Sequence, residues 1–238
     1  MGTVILLRHG RSTANTAGIL AGRNPQVALD EHGQAQAQTL IERLAQLPLA
    51  ALVSSPLQRC QETLAALAQA RALEVTVDER FVEMDYGEWT GRQLRTLAKE
   101  PLWKVVQGHP SAAVFPGGEG MAAMQARAVA AVREWDAKLA AEHGAAVLWL
   151  VCTHGDLIKA VLADALGVHL DSFQRIVAHP CSISAVTYTE TRPFVQRIND
   201  CGDDLRALVP PKRRRRRRLS SDATPGGSAG GGPTDSDR

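Results

Sequence analysis

Thr3-Val4-Ile5-Leu6-Leu7-Arg8-His9-Gly10-Arg11-Ser12-Thr13-Ala14-Asn15 is the stretch from which the rest of the chain is read. Residues 3 to 7 are an apolar run rich in β-branched side chains, the pattern of a strand buried on both faces of a parallel sheet. The run breaks at Arg8-His9-Gly10. Ligands of open α/β sheets bind just beyond the carboxyl ends of strands, and an Arg and a His are costly to bury unpaired. A ligand facing these two residues is therefore expected; a strand-end His with a structural hydrogen bond is the alternative. Gly10 allows a tight turn or close backbone approach. Ser12, Thr13 and Asn15 add hydroxyl and amide groups suited to an anion.

The same alternation recurs downstream. A helix is expected from about Gly33 to Leu47, ended by Pro48. Ala50–Val53 reads as a second buried strand that ends at Ser54-Ser55-Pro56. Pro56 fits the first turn of the next helix, with Ser55 as its N-cap. Val75–Val77 reads as a third strand and Phe81–Trp89 as a compact mixed segment. A helix over about 92–99 is followed by an irregular stretch, 106–120. Residues 83–120 are too long for an ordinary connection and read as an insertion covering the site. A long amphipathic helix is expected over Glu119–Glu142. Ala145–Cys152 is the most apolar strand and ends at Thr153-His154-Gly155-Asp156, with a helix to Leu166. Two strands, Ile183–Thr189 and Phe194–Asn199, close the pattern. Repeated strand–helix alternation implies an α/β sandwich.

Four fragments in order carry a resemblance: Arg8-His9-Gly10; Ser54 to Thr63, containing Arg59; Phe81 to Gly91, containing Glu83; and Cys152-Thr153-His154-Gly155-Asp156. Together they resemble the histidine phosphatase superfamily, in its phosphoglycerate-mutase-like branch, over roughly residues 3–200. The resemblance implies a three-layer α/β/α sandwich around a mostly parallel sheet. It also implies hydrolysis of a small-molecule phosphomonoester through a phosphohistidine on His9. Arg8 and Arg59 would hold the phosphoryl oxygens, His154 would donate to them, and Glu83 would act as general acid and then base, with Asp85 and Glu88 as its rivals. Flat guanidinium groups suit phosphate oxygens, and their charge favours the neutral, nucleophilic form of His9. Such a cage needs no metal, and no His-x-x-x-His spacing occurs.

Asn15 and Ser12 are secondary candidates for phosphate contact, or for capping the following turn. Gly22 is a candidate for backbone approach to substrate. Arg11 either adds positive potential or faces solvent. Glu119 either touches substrate or serves as a helix-start carboxylate. Glycolytic mutases of this family carry Glu-Arg-His-Tyr-Gly at the acid position and an Arg-Arg pair in the insertion. Here the segment is Glu83-Met84-Asp85-Tyr86-Gly87, and residues 92–120 hold no Arg-Arg. The pattern is closer to α-ribazole-phosphatase-type and actinobacterial mutase-like phosphatases. A mutase acting on another sugar or acid phosphate is the alternative, and an inactive phospho-ligand binder is the reading from outside enzymology. Family resemblance also implies a homodimer.

Composition restricts the rest. Of 27 basic residues, seven are Lys212 and Arg213–Arg218; the remaining 20 face 25 acidic ones, a balance of −5. A nucleic-acid-binding body is not supported, although the basic run itself could attract nucleic acid by charge. Residues 1–208 are expected to form one phosphatase domain and 209–238 a basic, then Gly/Ser/Pro-rich, disordered tail. Four widely spaced cysteines and no secretory leader before Val4 make a reducing cytoplasm the expected setting. No apolar run is long enough to span a membrane.

Overall fold

The computed structural model describes residues 2–202 together with Pro225 and Gly226. In chain order the elements are β1 (Thr3–Arg8), α1 (Thr13–Ala17), α2 (Glu31–Arg43), β2 (Leu49–Ser54), α3 (Gln58–Arg71), β3 (Val75–Val77), α4 (Leu94–Leu97), α5 (Pro101–Gly108), α6 (Met121–His143), β4 (Leu148–Thr153), α7 (Gly155–Leu166), β5 (Ile183–Thr187) and β6 (Phe194–Asp200).

The strands form a single mixed sheet in the order β3-β2-β4-β1-β5-β6. The first four run parallel, and β5 and β6 add an antiparallel edge. Alternation along β1 shows why its run reads as continuously apolar. Val4 and Leu6 enter one core with Trp149, Val151 and the apolar faces of α6 and α7. Ile5 and Leu7 enter the other, with Leu40, Leu64, Leu67 and Leu150 from α2, α3 and β4. Both faces of the sheet are covered, as parallel strands require.

β2, β4 and β1 are neighbours and parallel, so their carboxyl ends share one edge of the sheet. Backbone bonds continue beyond them: Ser55 N–H donates to Cys152 O at 2.9 Å, and His9 N–H to Thr153 O at 3.0 Å. Ser55, His154 and His9 are thereby held side by side on three separate strand ends. Gly10 packs so closely on α2 that a Cβ there would stand 2.8 Å from Gly33 O.

Several expectations are corrected. α2 begins at Glu31, because the Asp30 carboxylate caps it by accepting from Gly33 N–H. It ends at Arg43, four residues before Leu47. α3 begins at Gln58, so Leu57 is the N-cap; Ser55 lies two residues earlier, where its hydroxyl accepts from Leu57 N–H at 3.4 Å and also bonds His154. The stretch read as irregular contains part of α5, where Pro101 starts the helix and Trp103 and Val106 are buried. The fold boundary at Leu208 and the Lys212–Arg218 run lie outside the described residues. No helix among the described residues is long and apolar enough to cross a membrane.

Candidate active site

Two arginines lie under the cavity at the carboxyl edge of the sheet. Arg8 ends β1 and is fully buried; its Nη1 donates to Ala178 O at 2.7 Å. Burial is the main cause that lowers its pKa to about 10, and it stays protonated at neutral pH. Arg59, on the first turn of α3, is 1% exposed. Its Nη2 donates to Gly22 O at 2.8 Å. Its Nε is buried with no hydrogen-bond partner among the described residues. A buried, charged donor without an acceptor is expensive; beside a cavity it marks the place of an anionic oxygen.

His9 is 3% exposed. Its Nδ1 lies 2.7 Å from Gly10 O, an acceptor only, so Nδ1 carries the proton and Nε2 the lone pair. Burial, then Arg59 and Arg8, push its pKa well below the usual histidine value. Neutral imidazole follows from geometry and electrostatics together, and burial contributes more than the guanidinium charges.

His154 follows β4 and is fully buried, with its ring centroid 5.2 Å from that of His9. Burial, then Arg59, keep it neutral as well. Its Nε2 lies 2.8 Å from Ser55 Oγ. With Ser55 donating to that nitrogen, Nδ1 carries the proton, on the side where Glu83 Oε2 lies 3.9 Å away. Ser55 is thus a positioning residue invisible to local pattern, since 99 positions separate it from its partner. Replacing Ser55 with Ala is expected to lower kcat about five- to fifteen-fold, the worth of one orienting hydrogen bond. Restoration by Thr, measured on p-nitrophenyl phosphate, would separate orientation from lost packing.

Glu83 is 3% exposed and lines the cavity. Burial, reinforced by Asp156, raises its pKa to about 7. Its rivals are drawn away: Asp85 accepts from Gly87 N–H at 3.0 Å and pairs with Arg23 at 3.5 Å, while Glu88 is exposed. Two further arginines, not picked out from the sequence, hold the backbone around Glu83. Arg23 Nε donates to Glu83 O at 2.9 Å, and Arg127 Nη1 to Val82 O at 3.0 Å. Both also pair with Glu119. That pairing accounts for Glu119, which is not among the cavity-lining residues.

Behind Glu83 lies a second buried group. Tyr86 Oη donates to Asp156 Oδ2 at 2.7 Å, and Lys159 Nζ lies 2.9 Å from Asp156 Oδ1. Burial opposes ionisation of Asp156, but Lys159 and the hydrogen bonds to the carboxylate outweigh it and hold its pKa below the usual range.

Ser12 and Asn15 both line the cavity, where they form a capping box for α1. Asn15 Oδ1 accepts from Ser12 N–H at 3.0 Å and from Ser12 Oγ at 2.9 Å. The Asn15 carboxamide oxygen is thus taken, which leaves its NH₂ for a ligand. Gly22 also lines the cavity, but its carbonyl is engaged in orienting Arg59. Arg11, like Glu119, is placed elsewhere: its Nε donates to Asp30 at 2.6 Å, and it is absent from the lining. The capping carboxylate of α2 draws it off the cavity.

The cavity, about 170 Å³ and open on one side, also meets Ile19, Leu20, Ala21, Tyr86 and Leu94. Arg59, the His9 imidazole with its free lone pair and the Glu83 carboxyl, with its pKa raised to about 7, therefore line one small space. Arg8 and His154 are not among the lining residues; they adjoin the space through His9, which follows Arg8 in the chain and whose ring centroid lies 5.2 Å from that of His154. The arrangement can bind a tetrahedral oxyanion, attack it, and supply or remove a proton.

Comparison with known proteins agrees. The model of the histidine phosphatase superfamily (branch 1) matches residues 4–201. Phosphoserine phosphatase 1 of Hydrogenobacter thermophilus is 29% identical over 200 residues, covering 82% of this chain and 91% of that protein. The probable phosphoglycerate mutase GpmB of Proteus mirabilis is 31% identical over 188 residues, covering 78% and 84%. Among solved structures, mycobacterial glucosyl-3-phosphoglycerate phosphatase complexed with VO3 superposes with a TM-score of 0.73 at 25% identity, covering 84% of this chain and 99% of that one. The α-ribazole phosphatase of Shigella flexneri gives 0.71 at 24%, covering 84% and 96%.

Proposed function

This chain belongs to branch 1 of the histidine phosphatase superfamily, and from that membership we propose that it hydrolyses a small phosphomonoester by double displacement on His9. His9 Nε2 attacks phosphorus, forming a P–N bond as the ester P–O bond breaks. The leaving alkoxide takes the proton of Glu83. Water then attacks the phosphohistidine, Glu83 carboxylate takes its proton, and the P–N bond breaks to restore the imidazole lone pair. Arg8, Arg59, His154 and the Asn15 NH₂ spread the equatorial charge, the electrostatic term on which phosphoryl transfer depends most. The observation that carries this reading is that the Arg59 Nε, buried without a hydrogen-bond partner among the described residues, belongs to a side chain lining the same cavity as His9, whose Nε2 keeps its lone pair.

The balance between water and another acceptor follows from the rest of the cavity. Its other lining includes Ile19, Leu20, Ala21, Leu94 and Tyr86, with Pro225 and Gly226, and among the described residues Arg59 is the only arginine or lysine in the lining. Arg23 is neutralised by Glu119 and Asp85, and Arg92 by Glu100 at 2.5 Å. Among the described residues, a substrate carboxylate would meet neither Arg23 nor Arg92 unpaired. We therefore favour phosphatase over mutase action, on an ester of a compact, uncharged alcohol. A panel of phosphorylated metabolites should show kcat/KM about ten-fold or more higher for small neutral-alcohol esters than for phosphoserine or phosphoglycerate, the discrimination expected from a site without the matching charge. The reverse order would contradict this assignment, and phosphoryl transfer to an acceptor exceeding release to water would favour the mutase reading.

A further inference from the structure

Pro225 and Gly226 are separated from Gly202 by 22 residues, yet they line the same cavity as His9, Arg59 and Glu83. Gly226 is bound at both ends of its peptide. Its carbonyl accepts from Arg8 Nη2 at 3.0 Å, and its N–H donates to Asp156 Oδ2 at 3.0 Å. The position suits glycine. Its φ is +75°, and a Cβ there would stand 3.3 Å from Leu20 Cδ1 and 3.8 Å from Tyr86 Oη.

A carbonyl oxygen on Arg8 occupies a seat that the mechanism gives to a phosphoryl oxygen. We propose that the catalytic cavity is also the docking site of this chain's own C-terminal segment, with Pro225-Gly226 as a built-in competitive inhibitor. The inference rests on the reading of Arg8 as a phosphoryl ligand.

The physics sets the strength of such a brake. A neutral carbonyl offers Arg8 less than a phosphate dianion, because it carries no net charge to attract the guanidinium, whereas the dianion adds Coulombic attraction and more than one acceptor oxygen. Free in solution the segment would compete poorly. Tethered, it competes at an effective concentration on the order of millimolar, and the intervening 22 residues easily reach the cavity, since an extended chain spans about 3.3 Å or more per residue. Substrate displaces the segment at saturation. The segment therefore raises KM and leaves kcat unchanged.

The test is made on the full-length chain. Gly226→Val puts a β-branched side chain at a left-handed φ and against Leu20, which excludes the docked conformation. Binding of inorganic phosphate is measured by calorimetry, and KM and kcat with p-nitrophenyl phosphate, for wild type and variant. The expected result is a fall in KM of about three- to ten-fold, as for a cavity occupied by the segment most of the time. Phosphate should tighten by the same factor and kcat should hold. A peptide spanning residues 220–230 should then inhibit the variant competitively. Equal phosphate affinity and equal KM in the two proteins would overturn the docking proposal alone. No phosphate binding and no hydrolysis by either would overturn the phosphoryl-ligand reading together with it.

Discussion

His9→Ala is expected to lower kcat by on the order of 10⁴–10⁶-fold, the scale seen when the nucleophile of a covalent mechanism is removed, while inorganic phosphate still binds. The separation of the two effects follows from the site. On the proposed reading the oxygens would be held by Arg8, Arg59 and His154, and the hydrogen bonds that position these three do not run through the His9 side chain: Arg8 donates to Ala178 O, Arg59 to Gly22 O, and His154 is bonded to Ser55. His9 in turn is oriented by Gly10 O. Truncating it removes the lone pair and leaves a space of imidazole size. Added imidazole should recover part of the activity, and the recovery should follow the neutral form of the added base. Turnover by His9→Ala at the wild-type rate would refute the nucleophile assignment.

Glu83→Gln is expected to cost about 10²–10⁴-fold in kcat/KM on alkyl phosphates, the range for loss of a positioned general acid. For p-nitrophenyl phosphate the same change should slow the first chemical step far less, because that leaving group departs without a proton. The pH dependence has a definite sign. Burial raises the Glu83 pKa to about 7, so the acid form is present below that pH and is lost as pH rises through it. Wild-type kcat/KM on alkyl phosphates should therefore fall above pH 7, and Glu83→Gln should lack that descending limb. Because burial and the two arginines push the His9 pKa well below its usual value, His9 protonation adds no limb near pH 6.5. Equal slowing across leaving groups, or a descending limb that survives in Glu83→Gln, would point to a different acid.

The parts of the molecule legible in sequence are those where burial leaves a one-dimensional trace. Residues 3–8 read correctly because a doubly covered strand is apolar at every position, and the first polar residue then marks its end. His154 follows from the same rule on β4. Glu83 was separable from Asp85 and Glu88 only by family pattern; the structural reason is that Arg23 and solvent take the other two. The hydroxyl of Ser55 before Pro56 has the local signature of an N-cap, and it does accept from Leu57 N–H; its contact with His154 has no local trace, because the β2–β4 pairing brings that partner to it. Arg23 and Arg127 escaped notice for a similar reason: each serves the Glu83 loop from a distant segment, and a lone arginine on a loop or helix carries no pattern. α5 is only eight residues long, so its amphipathic period, with Trp103 and Val106 buried, is sampled over little more than two turns; Pro101 at its first turn is the other signal. Gly226 had none, since two backbone hydrogen bonds require no particular composition around them.

The central claim is that the phosphoryl group passes through His9, and it is tested most directly by trapping it there. In Glu83→Gln the first step on p-nitrophenyl phosphate needs no acid, while the second has lost its base, so the intermediate should accumulate. Rapid mixing with phosphorus-labelled substrate, quenched in base and mapped by peptide, should place close to one phosphoryl group per chain on His9, formed as fast as the first nitrophenol is released. Nitrophenol released with no label on His9, or with the label on another residue, would contradict the account.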